Sequence, residues 1–376
     1  MTLMLHALAL AIGLQAPPDA AATQAGRVPT PVDVFVGGEA GHAIYRIPSV
    51  LRLADGALLA FAEARESKSD NGSNDIVLRR SEDGGATWEA MRTVLDLPGR
   101  SLNNPCAVQV TRGAHEGRVL LMVQSYPTGC GEGCVKPGVD AATACLTVLV
   151  HSDDGGRNWS PARDVTASVK RGAPVTSVAS GPGVGIALQA GAHPGRVLMP
   201  FNQGPPNDWR VYAAYSDDGG DTWAMGETAA EDGSGHANEV QFAERSDGTV
   251  MLLARQFGGG AQRKTAASSD GGEHWTTLQR AVDLVDPSCM GGLIGLQTPD
   301  GPRMVCTGPA SRSKRAAGRA WFSADGGRSW PRSLPIAEGF FAYSVPVQLG
   351  PDRLGVLFER DDYARISFVT LPIPQP

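Results

Sequence analysis

Charge is scarce in this chain. Asp, Glu, Lys and Arg make up only 19% of its 376 residues, and the formal net charge is −6. So few charges exclude an architecture of long solvated helices, which need a sustained polar face. The missing Lys and Arg clusters argue against a nucleic-acid or anionic-membrane partner. They do not exclude a small anionic substrate, because a few arginines can hold one carboxylate whatever the total charge. Beyond the N-terminus no apolar run approaches the length of a membrane span, so none is expected. A phosphate-binding loop is also lacking, since Gly258-Gly259-Gly260 is followed by neither Lys-Ser/Thr nor a helical pattern. His42, His115, His151, His193, His236 and His274 show no spacing suited to a metal. Cysteines number six, and Cys130, Cys134 and Cys145 fall in one Gly-rich insertion. A local disulfide there would staple a loop, although spacing does not reveal the pairing. No His or further C-x-x-C accompanies them, so zinc is not expected. Cys106, Cys289 and Cys306 sit in apolar or turn contexts and read as buried thiols.

Glycine (47) and proline (27) are plentiful, as many short strands joined by tight turns require. Residues 1–22 resemble a secretory leader, with an apolar run from Leu3 to Leu14 and small residues after it. That implies a secreted or periplasmic protein.

Five segments share the pattern S-x-D-G-G-x-x-W: Ser81 to Trp88, Ser152 to Trp159, Ser216 to Trp223, Ser268 to Trp275 and Ser323 to Trp330. In each, Asp and paired glycines make a tight turn, and the Trp is placed to pack across it. Strand-like runs precede the turns, such as Ile76–Leu78, Leu146–Val150 and Val211–Tyr215. Others lie between them, such as Ala57–Phe61, Val197–Phe201 and Val250–Ala254. About four short strands per unit, repeated every 50 to 70 residues or so, is the requirement of a propeller blade. Residues 27–376 are therefore expected to form one all-β domain, a six-bladed β-propeller with five such turns. The Val32–Val36 and Arg365–Leu371 runs would close the ring, leaving no free edge.

Three motifs go beyond the repeat: Tyr45-Arg46-Ile47-Pro48; Ala60-Phe61-Ala62-Glu63-Ala64-Arg65 with the acidic loop after it; and Asp75 to Arg80 leading into the first turn. In this order they resemble the bacterial and animal sialidase family over nearly the whole mature chain. The resemblance implies an exo-acting, retaining sialidase, working on sialylated glycans as a monomer without cofactor or metal.

It also implies roles. Arg46, Arg255 and Arg315 would clamp the substrate carboxylate, since the planar guanidinium pairs bidentately and keeps its proton. Arg312 and Arg319 stand close enough to compete for the third place. Tyr343, in Ala342-Tyr343-Ser344, would be the nucleophile, and Glu239, in Asn238-Glu239-Val240, its base. A neutral phenol suits a substrate whose own carboxylate repels an anionic nucleophile. Glu359 would buttress Arg46. Asp70 would be the acid/base, on a loop whose partial burial would raise its pKa, with Asp75 its rival. Arg65 and Asn104 would lie near the C4 and acylamino groups of the sugar. Two other readings remain open: a glycan-binding propeller without turnover, and an enzyme acting on another nonulosonic acid or transferring to an acceptor other than water.

Overall fold

The structure, a computed structural model, describes residues 28–139 and 142–375. The leader expected over residues 1–22 lies outside them. Helix is confined to Thr166–Val169 and a 3-10 turn at Glu39–Gly41 among the described residues; the rest is all-β, as expected.

Strands pair with their sequence neighbours into antiparallel meanders. The first sheet runs Ile44–Arg52, Leu58–Arg65, Asp75–Ser81, Arg92–Leu95. The second runs Arg100–Gln109, Val119–Pro127, Leu146–Ser152, Arg163–Asp164, with Gly183–Val184 added in parallel beside its first strand. The third is built on Ser177–Ser180, Val197–Gly204, Arg210–Ser216 and Ala224–Met225, and the fourth on His236–Glu244, Val250–Phe257, Gln262–Ser268 and Gln279–Val285. The last sheet has seven strands. Its 19-residue strand Arg332–Gly350 pairs with Ala316–Ser323 along its first half and with Arg353–Arg360 along its second. Val32–Val36 lies against Arg365–Pro372, so the two ends of the described chain share one sheet edge.

Among the described residues, five hydrophobic clusters lie between successive sheets and one more lies between the two halves of the seven-stranded sheet. Leu59 and Phe61 meet Leu121 and Val123; Met122 meets Met199 and Phe201; Leu198 and Val211 meet Phe242 and Leu252. Met251 meets Met304 and Cys306, and Phe322 meets Phe341 and Val356. The sixth cluster joins Phe368 and Leu357 to Tyr45 and Leu58 of the first sheet. The ring thus closes through packing as well as hydrogen bonds, giving a β-propeller. Each sheet is sandwiched between two neighbours. Leu58–Arg65 is accordingly buried at all eight positions and reads as a near-continuous apolar run, as a strand covered on both faces does.

The D-G-G turns also do more than close hairpins. Ser81 Oγ donates to Asp83 (2.8 Å) and accepts from Gly85 N (2.9 Å), and the Asp83 carboxylate accepts from Thr87 N (2.9 Å). The Ser–Asp bond and the bond from the second glycine recur at Ser152, Ser216, Ser268 and Ser323. That second glycine has positive φ in every turn and lies against the preceding sheet. A Cβ on Gly85 would fall 2.3 Å from the Phe368 ring, and one on Gly327 would fall 2.3 Å from Met251 Sδ. Trp88 and Trp159 likewise reach across to Phe368 and Phe61 of the preceding sheet. The repeated turn is therefore a staple between sheets.

Candidate active site

Four of the innermost strands carry the same irregularity at the same end. Pairing skips from Arg46 to Ser49, from Asn103 to Cys106, from Ala237 to Val240 and from Phe341 to Ser344, while the neighbouring strand skips one residue. Each is a bulge of two residues against one, a device that bends a strand and re-aims its side chains. Proline is tolerated there because the ladder needs no N–H from it, which accounts for Pro48 and Pro105. In the first two of these bulges Ile47 and Asn104 take left-handed backbone, with φ of 56° and 54°.

These bulges face one cleft of about 670 Å³ that gathers Arg46, Arg65, Asp70, Asn104, Glu239, Arg255, Arg315 and Tyr343 from separate sheets. In the fourth sheet the bulge Asn238-Glu239 opposes Arg255, and Arg255 Nη1 donates to Glu239 Oε2 at 2.8 Å. In the last sheet Ala342-Tyr343 opposes Glu359, whose Oε2 accepts from Tyr343 N at 3.2 Å. Both pairs are 16 residues apart for this one reason. The two bulges meet across the ring. Tyr343 Oη donates to Glu239 Oε1 and accepts from Arg255 Nη1 at 3.1 Å. Tyr343 is only 4% exposed. Burial, then the Glu239 charge, hold its phenol well above the usual range, while Arg255 and Arg315 pull the other way.

Glu359 is fully buried and is the hub of the arginine side. Its Oε1 accepts from Arg46 Nε (2.7 Å) and Ile47 N (2.9 Å). Burial opposes the Arg46 charge, but Glu359 outweighs it and the Arg46 pKa rises. Arg315 Nη2 donates to Ser288 O at 2.8 Å, and Phe341 N donates back to Arg315 O at 3.0 Å. Of the three arginines in that stretch, only Arg315 lines the cleft; Arg312 is exposed, and Arg319 turns to Ser333 Oγ (3.0 Å). Among the described residues Arg46 and Arg255 each have a carboxylate partner, and Arg315 has none.

On the opposite wall Arg65 is shared by two acids. Its Nε donates to Glu63 Oε2 at 2.7 Å and its Nη1 to Asp70 Oδ1 at 2.5 Å. Asp70 does lie in the cleft, but its side chain is 74% exposed, so the partial burial expected for it is not found. Its loop projects over the cleft and is held at its backbone: Asp70 O accepts from Ser101 Oγ (3.1 Å) and Asn74 Nδ2 (3.2 Å). Asp75 starts its strand opposite Ala64 and does not line the cleft. Asn104 Nδ2 donates to Gln124 Oε1 at 3.2 Å, and Asn104 N donates to Glu63 Oε1 at 2.6 Å.

Several residues that line the cleft or bond to its lining had no role in the sequence reading. Glu63, quoted there only as part of a motif, is fully buried, and burial raises its pKa to about 7 against the pull of Arg65. Cys130 and Cys134 are disulfide-bonded, and the loop they close carries Glu132 into the cleft. Burial raises the Glu132 pKa; Trp209 lies near enough to favour its charged form, yet the buried indole N–H has no partner at bonding distance. Trp209 packs edge-on against Phe257, giving the cleft one aromatic wall. The remaining cysteines, Cys106, Cys145, Cys289 and Cys306, are free and buried.

The BNR repeat-like domain family matches residues 56–355. A sialidase of Micromonospora viridifaciens is 31% identical over 92% of this chain and 57% of its own length. A sialidase of Bacteroides fragilis is 28% identical over 87% of this chain and 62% of its own. The chain thus spans about three fifths of these bacterial relatives, although it covers 93% of sialidase-2 of Rattus norvegicus at 30% identity. Among solved structures, the Hadza microbial sialidase Hz136 superposes with a TM-score of 0.80 at 26% identity, over 90% of this chain and 67% of that one. Together with the four bulges and the side chains they aim into one cleft, these likenesses show that the chain belongs to the sialidase family.

Proposed function

We propose that this protein is a retaining exo-α-sialidase that releases terminal sialic acids from glycoconjugates, using a tyrosine nucleophile on a six-bladed propeller. The blade count follows when the strand Arg332–Gly350 is shared between two four-stranded units. Residues 27–376 would be the catalytic domain, exported by the leader-like segment to a secreted or periplasmic location.

The observation that carries the reading is the Tyr343–Glu239–Arg255 contact beside an arginine without a counter-ion. Arg46, Arg255 and Arg315 supply the fixed positive charge that a C2 carboxylate needs, and Arg315 has no other anion to satisfy. Once held, that carboxylate repels any anionic nucleophile near the anomeric carbon. A phenol kept protonated by burial avoids the conflict. As Tyr343 Oη attacks C2, its proton passes to Glu239, so charge develops on the oxygen only as the bond forms. Asp70 protonates the departing glycosidic oxygen. In the second half it takes a proton from water, the water oxygen attacks C2, and Glu239 returns its proton to Tyr343. Two inversions leave the anomeric configuration unchanged. Arg65 keeps Asp70 facing the cleft, and Glu359 fixes both Arg46 and the backbone of the nucleophile.

The test is ¹H NMR of the reaction on an α-linked sialyllactose, followed before mutarotation. The α-anomer should appear first. First appearance of the β-anomer, or activity of Tyr343→Phe within tenfold of wild type, would overturn the mechanism. No release from α2,3-, α2,6- or α2,8-linked substrates would overturn the function.

A further inference from the structure

Behind the arginines, outside the cleft lining, stands a residue with no assigned role. Tyr363 lies on the turn between the strands Arg353–Arg360 and Arg365–Pro372. Its ring sits 4.0 Å beneath the Arg46 guanidinium carbon, and its hydroxyl accepts a 2.8 Å hydrogen bond from Arg315 Nη1. Two of the three arginines proposed to clamp the carboxylate thus rest on one side chain. Phe340 backs the ring edge-on at 4.8 Å.

The backbone beneath it is unusual. Asp361, Asp362 and Tyr363 all have positive φ, 54°, 51° and 69°. Aspartate tolerates the left-handed region through local hydrogen bonds, but an aromatic residue there is an outlier. Consecutive strained residues persist only where the surroundings over-determine them, and such places cluster at functional sites. What holds this turn is visible: Ala364 N closes it onto Asp361 O at 3.0 Å, and Lys68 Nζ bonds Asp362 Oδ2 at 3.0 Å. Lys68 belongs to the Asp70 loop, so the turn also touches the opposite wall of the cleft.

We infer that Tyr363 is a positioning residue for carboxylate recognition: its ring sets the plane of Arg46 by cation–π contact and its hydroxyl sets the fork of Arg315. Glu359 cannot do this alone, because it reaches only Arg46 Nε and leaves the rest of that guanidinium unfixed. Arg315, with no carboxylate partner among the described residues, depends on Tyr363 Oη and Ser288 O for its orientation. The inference rests on the proposed sialidase reading of the cleft.

The experiment measures inhibition by 2,3-dehydro-N-acetylneuraminic acid and by its methyl ester, with turnover of an aryl sialoside, for wild type, Tyr363→Phe and Tyr363→Ala. The acid-to-ester preference reads the carboxylate clamp alone. Tyr363→Phe, which keeps the ring, should cut that preference about three- to tenfold and raise KM similarly with kcat nearly unchanged. Tyr363→Ala, which loses both contacts, should cut it further. Equal weakening of acid and ester would mean a merely structural role and overturn the inference, as would an unchanged preference in Tyr363→Phe, the milder variant. If wild type itself shows no preference for the acid, the reading of the cleft fails and the inference goes with it. If wild type shows the preference and both variants keep it, only the inference falls.

Discussion

Replacing Glu359 by Gln tests the buried hub directly. The carboxylate is fully buried, faces an Arg46 side chain only 10% exposed, and accepts from Arg46 Nε, Ile47 N and Tyr343 N. An amide can keep one oxygen toward Arg46 and Ile47, but its NH2 group then points at the Tyr343 N–H, donor against donor. The guanidinium also loses its counter-charge in a place where water cannot replace it. Removing one partner of a buried pair costs about 3–5 kcal/mol. At about 2.1 cal/mol/K per residue, a folded unit of this length has an unfolding entropy of roughly 0.7 kcal/mol/K. The melting temperature of Glu359→Gln should therefore fall by about 4–7 °C. Catalysis should suffer separately, because Arg46 keeps only a neutral acceptor and the Tyr363 ring, and the bulge carrying Tyr343 loses its tether. A rise in KM of at least about tenfold, beyond any change explained by unfolding at the assay temperature, corresponds to one lost charge-assisted contact. Differential scanning fluorimetry and steady-state kinetics on a sialoside give both numbers. A melting temperature within 1 °C of wild type together with an unchanged KM would show that the Glu359 charge is not what holds Arg46.

Asp70→Ala should lower kcat for natural glycosides by two or more orders of magnitude yet spare aryl glycosides with good leaving groups, the range general acid catalysis contributes; equal losses on both would remove the acid role. Glu63 gives a pH signature. Its carboxyl binds a proton more tightly in the fold, with a pKa of about 7, than at its ordinary value of 4.5. Its contribution to stability is therefore full below pH 4.5 and is lost as pH rises toward 7. Glu63→Gln should flatten that part of the profile of denaturant midpoint against pH; a profile unchanged between pH 4.5 and 7 would refute the assignment. The disulfide loop docks on the acid loop, with Gly129 N donating to Asn71 O at 2.7 Å. Cys130→Ser/Cys134→Ser should therefore lose several-fold in kcat on poor leaving groups and little on good ones. A loss independent of the leaving group would place the effect elsewhere.

The blade repeat was readable because each turn chemistry is local. Ser, Asp and two glycines satisfy one another within five residues, so the pattern survives in a linear chain. The reason for the second glycine was not readable, because the atoms that forbid a Cβ there belong to the preceding sheet: Phe368 for Gly85, Leu59 for Gly156. Nor did the sequence mark where one strand serves two units. Arg332–Gly350 is uninterrupted, and only the partner changes along it.

The candidate site divides along the same line. Glu239 with Arg255, and Tyr343 with Glu359, are pairs across one bulge, so their common spacing of 16 residues is a register relation between adjacent strands. Such a relation is written in sequence. Arg315 is different, because it stands just before its strand and its direction depends on two tertiary facts. Ala317 takes a φ of 58° in the bulge that follows, and Gly318 lies where a Cβ would meet the Phe341 ring at 2.2 Å. Those small residues let the Phe341 ring approach beside Arg315. Glu63 was hidden for the opposite reason. In a strand buried on both faces, one acid among apolar residues carries no periodic signal, and its partner Asn104 comes from another sheet. Residues that act on a strand neighbour leave a spacing; residues that act between sheets leave only an oddity. In this chain the second glycine of each turn, Glu63 in its otherwise apolar strand and Tyr363 on its turn are such oddities, and Glu63 and Tyr363, which meet charged cleft groups, are the next to mutate.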